Sequence, residues 1–298
     1  MPPAPPNVSR NSLIGTLCGV GAAACWAASF VAARYGVQHG FAPADLVLYR
    51  FVPPGLVLLP LMVRDGLADL GGITWPRGIL LAVLGGPVQA LCAYSGYTLV
   101  PLGHGAVIQP ACAVLGGLAL AAWLLNDRLS RQRLVGAVVM ITGLVLFAGE
   151  AITTIGRHGL AGDLMFVAGG LLWAFFGTAL KAWSVSGPRA ASAVSVVALF
   201  LYTPVHAFLY GYDHILAVSL FDNMVQLLVQ GLFAAALPIY LFTRALILLG
   251  ASRGAVFTAL VPCFALVIGA ATIGEIPTAL QLAGLAVVIS GFRLAIKA

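Results

Sequence analysis

Apolar runs of about twenty residues follow one another along nearly the whole chain, each closed by a short polar or glycine-rich break. They fall at roughly 13–37, 44–63, 77–100, 103–124 and 132–150, and again at roughly 160–184, 190–210, 224–248, 252–272 and 279–297. A bilayer core about 30 Å thick takes about 20 helical residues at about 1.5 Å each. The pattern therefore predicts an all-α integral membrane protein of ten transmembrane helices with short connections and no room for a soluble domain. Residues 1–12, MPPAPPNVSRNS, are expected to form a disordered proline-rich tail. The first apolar run is too long for a signal-peptide core and is read as retained.

Composition agrees. Of 298 residues, 61% are hydrophobic and 8% charged, against about 45–50% and about 25% in soluble domains. The net charge of +6 is spread singly between apolar runs, without an aromatic-interleaved patch, so nucleic-acid binding is excluded as a reading. Cys18, Cys25, Cys92, Cys112 and Cys263 all lie in apolar runs with no CxxC spacing. They read as small packing residues, with no metal site and no cofactor implied.

The basic residues orient the bundle. With a cytoplasmic N-terminus, Arg10, Arg64, Arg77, Arg128, Arg131, Arg133, Arg189, Arg253, Arg293 and Lys297 collect at cytoplasmic ends, and only Arg157 falls outside. This asymmetry predicts both termini in the cytoplasm, and a bacterial inner membrane as the location. Asp45, Glu150, Asp163, Asp213, Asp222 and Glu275 lean to the outer ends. Four basic residues remain inside spans: Arg34, Arg50, Lys181 and Arg244. An intramembrane charge costs about 2.5–3.5 kcal/mol on insertion scales at a helix centre. Snorkelling accounts for any one of them; all four together predict a watered cavity within the bundle.

The chain also repeats itself. AAACWAASFVAARYGVQ (22–38) parallels GGLLWAFFGTALKAWSV (169–185), pairing Trp26 with Trp173 and Arg34 with Lys181. HGAVIQPACAVLGG (from 104) parallels RGAVFTALVPCFALVIG (from 253), and the closing helices carry Gly136 with Gly143 and Gly284 with Gly291. Five helices per copy is odd, so the second copy enters the membrane inverted. Inverted repeats supply two near-equivalent packings around a central site. The predicted units are 13–150 and 160–297, and Arg34 and Lys181 are expected near opposite mouths of one pathway.

On these motifs the two halves resemble EamA domains of the drug/metabolite transporter superfamily, over essentially residues 13–297. The resemblance implies a ten-helix carrier with helices 1–4 and 6–9 around the cavity and helices 5 and 10 packed away from it. Amino-acid exporters of the YddG type are the preferred branch. The first copy departs by carrying Asp127 where the second has Glu275.

Polar side chains within spans are expected to face the cavity rather than lipid. Helix 3 contributes Gln89, Tyr94 and Tyr97, and helix 8 contributes Gln230, Tyr240 and Arg244. Trp26 and Trp173 lie near mid-span, where core packing and cavity lining are both open. Gln109 and His104 begin helix 4, and His206 lies in helix 7. Pro110 and Pro262, in the paired helices 4 and 9, are the expected hinges, since a span proline frees a carbonyl that neighbours or cavity water must satisfy.

No carboxylate stands near the middle of a span, which argues against proton-coupled export of cations. The inferred cavity is aromatic, amide-rich and mildly positive. The reading is an exporter or facilitator of amino acids or similar small neutral or zwitterionic metabolites, working by alternating access without tight proton coupling, with His104 and His206 the groups that leave coupling open. A carrier of phosphorylated metabolites or nucleotide-sugars is the alternative. An intramembrane enzyme lacks a nucleophile–base constellation, and a non-transporting sensor has no need of buried basic residues. The lipid bilayer and a small-molecule substrate are the expected partners, and the chain is expected to be a monomer or homodimer.

Overall fold

The computed structural model describes residues 8–124, 130–154, 157–234, 236–249 and 256–296. Asp127, Arg128, Arg253, Gly254 and Lys297, used in the sequence reading, lie outside these. No strand occurs among the described residues. The helices are α1 (Val8–Gln38), α2 (Pro43–Gly66), α3 (Trp75–Gly85), α4 (Pro87–Gly96), α5 (Leu102–Leu124), α6 (Arg131–Thr154) and α7 (Arg157–Ala182). They continue with α8 (Gly187–Leu209), α9 (Asp213–Ala217), α10 (Leu220–Leu228), α11 (Ala236–Leu249), α12 (Val261–Thr272) and α13 (Ala279–Ile296). Among the described residues, seven stretches are long and apolar enough to cross a membrane: 12–38, 43–69, 75–96, 102–124, 159–182, 187–209 and 220–249, with shorter apolar helices at 257–272 and 279–295.

Three local departures from the sequence reading have backbone causes. First, α1 begins at Val8, inside the stretch assigned to the tail. Second, the third apolar run is two helices, because Pro87 has no N–H to carry the ladder across Gly86. The matching run of the second half is interrupted as well, by a π-turn at Val229–Phe233 between α10 and α11. Third, Pro110 lies inside α5 as expected, but Pro262 lies in the first turn of α12, after a 3-10 segment at Val256–Leu260. There the missing N–H costs nothing, so Pro262 is not the interior proline that its pairing with Pro110 predicts.

The bundle has two ends. One carries Gln38, Pro43, Leu102 and Glu275, and is called here the Gln38 end. The other carries Gly66, Ala182, Gly187 and Leu249. α2 lies along α8, α5 along α7, and α1 along α11. α6 and α13 pack on each other over their length, with Gly136 opposite Gly291 and Gly143 opposite Gly284. A large buried cluster joins α2, α4 and α8 through Leu46, Phe51, Tyr94, Tyr97, Val194 and Val197. A second cluster, including Met140, Phe147, Leu285 and Phe292, fills the α6–α13 seam. In lipid, close backbone approach through small residues does what apolar burial does in water.

Candidate functional site

The Gln38 end is tied shut by one carboxylate. Glu275, between α12 and α13, takes Arg34 Nε at 2.6 Å and Gln38 Nε2 at 2.9 Å on the same oxygen. Its other oxygen accepts the Leu102 amide at 2.6 Å. That amide is one of the donors left over at the start of α5, where the helix dipole also favours an anion. Arg34 further donates to the Tyr97 carbonyl. A single acid thus joins α1, α4, α5 and the approach to α13.

Polar ties from α2 and α10 complete this end. Tyr35 donates to Asp222, and Tyr49 to Asn223. Gln226 and Gln230, both fully buried, donate to the Ala32 and Ser29 carbonyls of α1 at 2.8 and 3.0 Å. Two buried histidine–carboxylate pairs sit at the same depth. His206 Nε2 lies 2.9 Å from Asp45 Oδ1, linking α8 to α2. His104 Nδ1 lies 2.8 Å from Asp163 Oδ1, linking α5 to α7. Asp45 also accepts the Ala42 amide at 2.8 Å, closing the first turn of α2.

Below the seal, three sequence candidates meet. Arg50 Nη1 lies 3.2 Å from Tyr94 Oη and 3.5 Å from Gln230 Oε1, and Tyr94 donates to Gln230 at 2.9 Å. Among the described residues, every hydrogen-bond partner of this guanidinium is neutral. Arg50 also lies 5.8 Å from the Phe51 ring.

Towards the opposite end the bundle loosens. A cavity of about 340 Å³ lies between α2, α8 and α11, with Tyr240, Thr243 and Arg244 on its α11 side. On α8 its lining residues Ala191, Ser192 and Ser195 point away from the exposed apolar row Phe200, Leu201 and Val205. The cavity is therefore on the interior side of α8. One face of α7 shows the same gradient: Phe166 is fully buried, Trp173 is 43% exposed, and Gly177 has open space before it. These positions lie opposite the exposed row Leu160, Leu164, Leu171 and Phe175. Lys181, exposed, continues the face to the helix end.

The remaining candidates are dispersed. Trp26 meets Phe242 edge-on at 5.4 Å. Gln89 is buried with Nε2 3.5 Å from the Gly169 carbonyl. Gln109 Oε1 is buried without a hydrogen-bond partner. Tyr97 packs on Phe166, with a buried hydroxyl that has no partner. Sequence reasoning missed Glu275, Asp45 and Asp163 as tying groups, since it placed all three only as acids near helix ends. No group of His, Cys, Asp or Glu suited to a metal ion occurs among the described residues.

Comparison with known proteins gives this arrangement its context. The EamA-like transporter family matches residues 13–149 and again 160–296. The chain belongs to that family. It is a multi-pass membrane protein of a transporter class, within the drug/metabolite transporter superfamily. It is 22% identical over 275 residues to the uncharacterized transporter YdfC of Bacillus subtilis (strain 168), covering 89% of this chain and 85% of that protein. A solved crystal structure shares the fold with a TM-score of 0.63 at 18% identity, over 96% of each chain.

The seal gives a direct expectation. Glu275→Ala leaves Arg34 without its carboxylate and frees α5 from α1, at a cost of about 1–3 kcal/mol to that end. In a cysteine-free background, a cysteine at the buried Val100 should then react roughly fivefold or more faster with a water-soluble maleimide. An unchanged rate would mean that Glu275 does not hold this end together.

Proposed function

We propose that this member of the family is an alternating-access carrier of ten spans in two inverted repeats, with both termini in the cytoplasm. Its cargo is amino acids or similar small metabolites that carry a carboxylate, and the state described is open on the Gly66 side. The observation that carries the cargo class is Arg50, an intramembrane cation hydrogen-bonded, among the described residues, only to neutral groups. A buried charge without a counter-charge is costly, and a cargo carboxylate would supply the counter-charge. The ammonium of an amino acid would be left to the neutral oxygens of Tyr94 and Gln230. Alternating access is supported by the contrast between the two ends: polar ties cross between the repeats at one (Arg34–Glu275), while a cavity opens at the other. The buried acids are committed to His206, His104 and Arg34, which supports transport without tight proton coupling.

The test is counterflow of labelled amino acids in proteoliposomes, with and without a pH gradient. Arg50→Gln should lower the rate about tenfold or more, the scale of one charge-assisted hydrogen bond. Arg50→Lys, which keeps the charge but loses the planar fork, should fall between. Counterflow that ignores Arg50→Gln would sink the reading. Exchange of phosphorylated metabolites in place of amino acids would favour the second reading, which the same unneutralised cation also suits.

A further inference from the structure

The cavity between α2, α8 and α11 has a chemistry of its own. Its cation is Arg244, which has neither ion-pair nor hydrogen-bond partner among the described residues. Tyr240 and Thr243 lie four residues and one residue before it, so Tyr240 and Arg244 share a helix face, and Thr243 lines the same space. Across from them Leu58 of α2 and Pro188 and Ala191 of α8 share the wall with Ser192 and Ser195, and Ile239 and Ile247 extend its apolar part on α11. None of the described lining residues is acidic. Asp65, the acid near this region, belongs to an adjoining depression beyond Pro188 and Ser192, and is paired with Arg64 at 3.6 Å.

We infer that this cavity binds a small lipophilic monocarboxylate, with the carboxylate on Arg244 and the hydrocarbon body against Leu58, Ile239 and Ile247. The inference rests on the carrier reading only in taking the cavity to lie on the cargo's path. A guanidinium facing a space lined mainly by apolar side chains needs an anion or retained water. Hydroxyls from Tyr240 and Thr243 can donate to the carboxylate oxygens that the arginine leaves open. The volume is in the range of small-molecule sites and holds one ring or a branched chain beside the acid group. An α-ammonium group finds no acid here. Entering the cavity strips water from it without compensation, so the ammonium-free acid binds more tightly than the corresponding amino acid. The cargo range thereby extends from amino acids to their ammonium-free counterparts, which the cavity prefers. The alternative occupant, an anionic lipid headgroup, is disfavoured because the cavity lies away from the exposed apolar row of α8.

The experiment is calorimetric binding to the full chain in nanodiscs of zwitterionic lipid. The probes are 3-phenylpropanoate, phenylalanine, 3-phenylpropylamine and inorganic phosphate. The expected result is saturable binding of 3-phenylpropanoate, with phenylalanine weaker by roughly tenfold or more and no binding of the amine. Arg244→Gln should weaken 3-phenylpropanoate roughly tenfold or more, Arg244→Lys less, and the exposed Arg64→Gln not at all. Phenylalanine binding as tightly as the acid overturns the proposal. So does an unchanged affinity in Arg244→Gln, or binding of phosphate alone. Arg244-dependent displacement of the acid by phosphatidylglycerol would reassign the cavity to a lipid headgroup. If Arg244→Gln does not yield monodisperse protein, the probe series on the unaltered chain and Arg244→Lys decides the matter. Flux into proteoliposomes is measured separately: intact binding without flux would overturn the carrier reading and leave the site standing.

Discussion

Gly143→Leu and Gly291→Leu are each expected to abolish recovery of folded, monodisperse protein. At both glycines the shortest contact is with the opposite helix backbone. A Cβ on Gly291 would stand 2.6 Å from the Met140 amide nitrogen and 2.7 Å from the Gly136 carbonyl. A Cβ on Gly143 would stand 2.6 Å from the Val288 nitrogen and 2.9 Å from the Gly284 carbonyl. Backbone cannot rotate out of the way as a side chain can, so α6 and α13 must separate along much of their length. Overpacking in a well-filled core costs about 1–3 kcal/mol, and a forced helix separation exceeds that by uncovering Met140, Phe147 and Val288 together. Gly117→Ala is the contrast, since its Cβ meets nothing within 4 Å. It should be neutral or gain up to about 1 kcal/mol of helix propensity. Size-exclusion chromatography of detergent extracts reads all three. Monodisperse Gly291→Leu with unchanged thermal stability would show that the seam is not as close as described.

Asp45→Ala carries the next largest expected effect. Asp45 and His206 are both fully buried, and each is the other's side-chain hydrogen-bond partner. Removing the acid strands the imidazole, whose Nδ1 has no partner either, and also releases the Ala42 amide at the start of α2. Breaking a buried pair in this way costs about 3–5 kcal/mol, which corresponds to roughly 6–20 °C in melting temperature for a chain of this size class. Asp45→Asn keeps an oxygen acceptor of the same shape and should cost less than half as much. Thermal unfolding in detergent separates them. Equal melting temperatures for the two variants would mean that the carboxylate charge contributes nothing to holding α2 against α8.

Much of this arrangement is readable from the chain, and the boundary between what is and is not readable is physical. The apolar runs, the repeat, the glycines of α6 and α13, and the presence of basic residues inside spans all follow from composition and spacing. The grouping of Arg50, Tyr94 and Gln230 is anticipated only as a shared surface, not as a hydrogen-bonded set. What the sequence withholds is pairing. Arg34 and Glu275 lie 241 residues apart, and no periodicity tells an arginine near a helix end whether it will meet water, lipid headgroups or an acid from the other repeat. For the same reason Asp45 and Asp163 read as outer-end acids although both are buried against histidines. The break at Gly86 is visible as Gly-Pro, whereas the π-turn at Val229–Phe233 leaves no mark in an apolar run that is otherwise continuous.

The seam between α6 and α13 has one more implication when it is regarded as an interface. Gly136 meets Gly291 and Gly143 meets Gly284 in antiparallel order, so each half offers the other the same kind of patch that it receives. Contacts of this isologous form close on themselves after two copies. Either half made alone would carry a surface suited to a second copy of itself as well as to its proper mate. The short covalent connection between α6 and α7 raises the local concentration of the proper mate far above that of any other. In that sense the linker selects the heterotypic pairing that the glycine surface, by itself, does not specify.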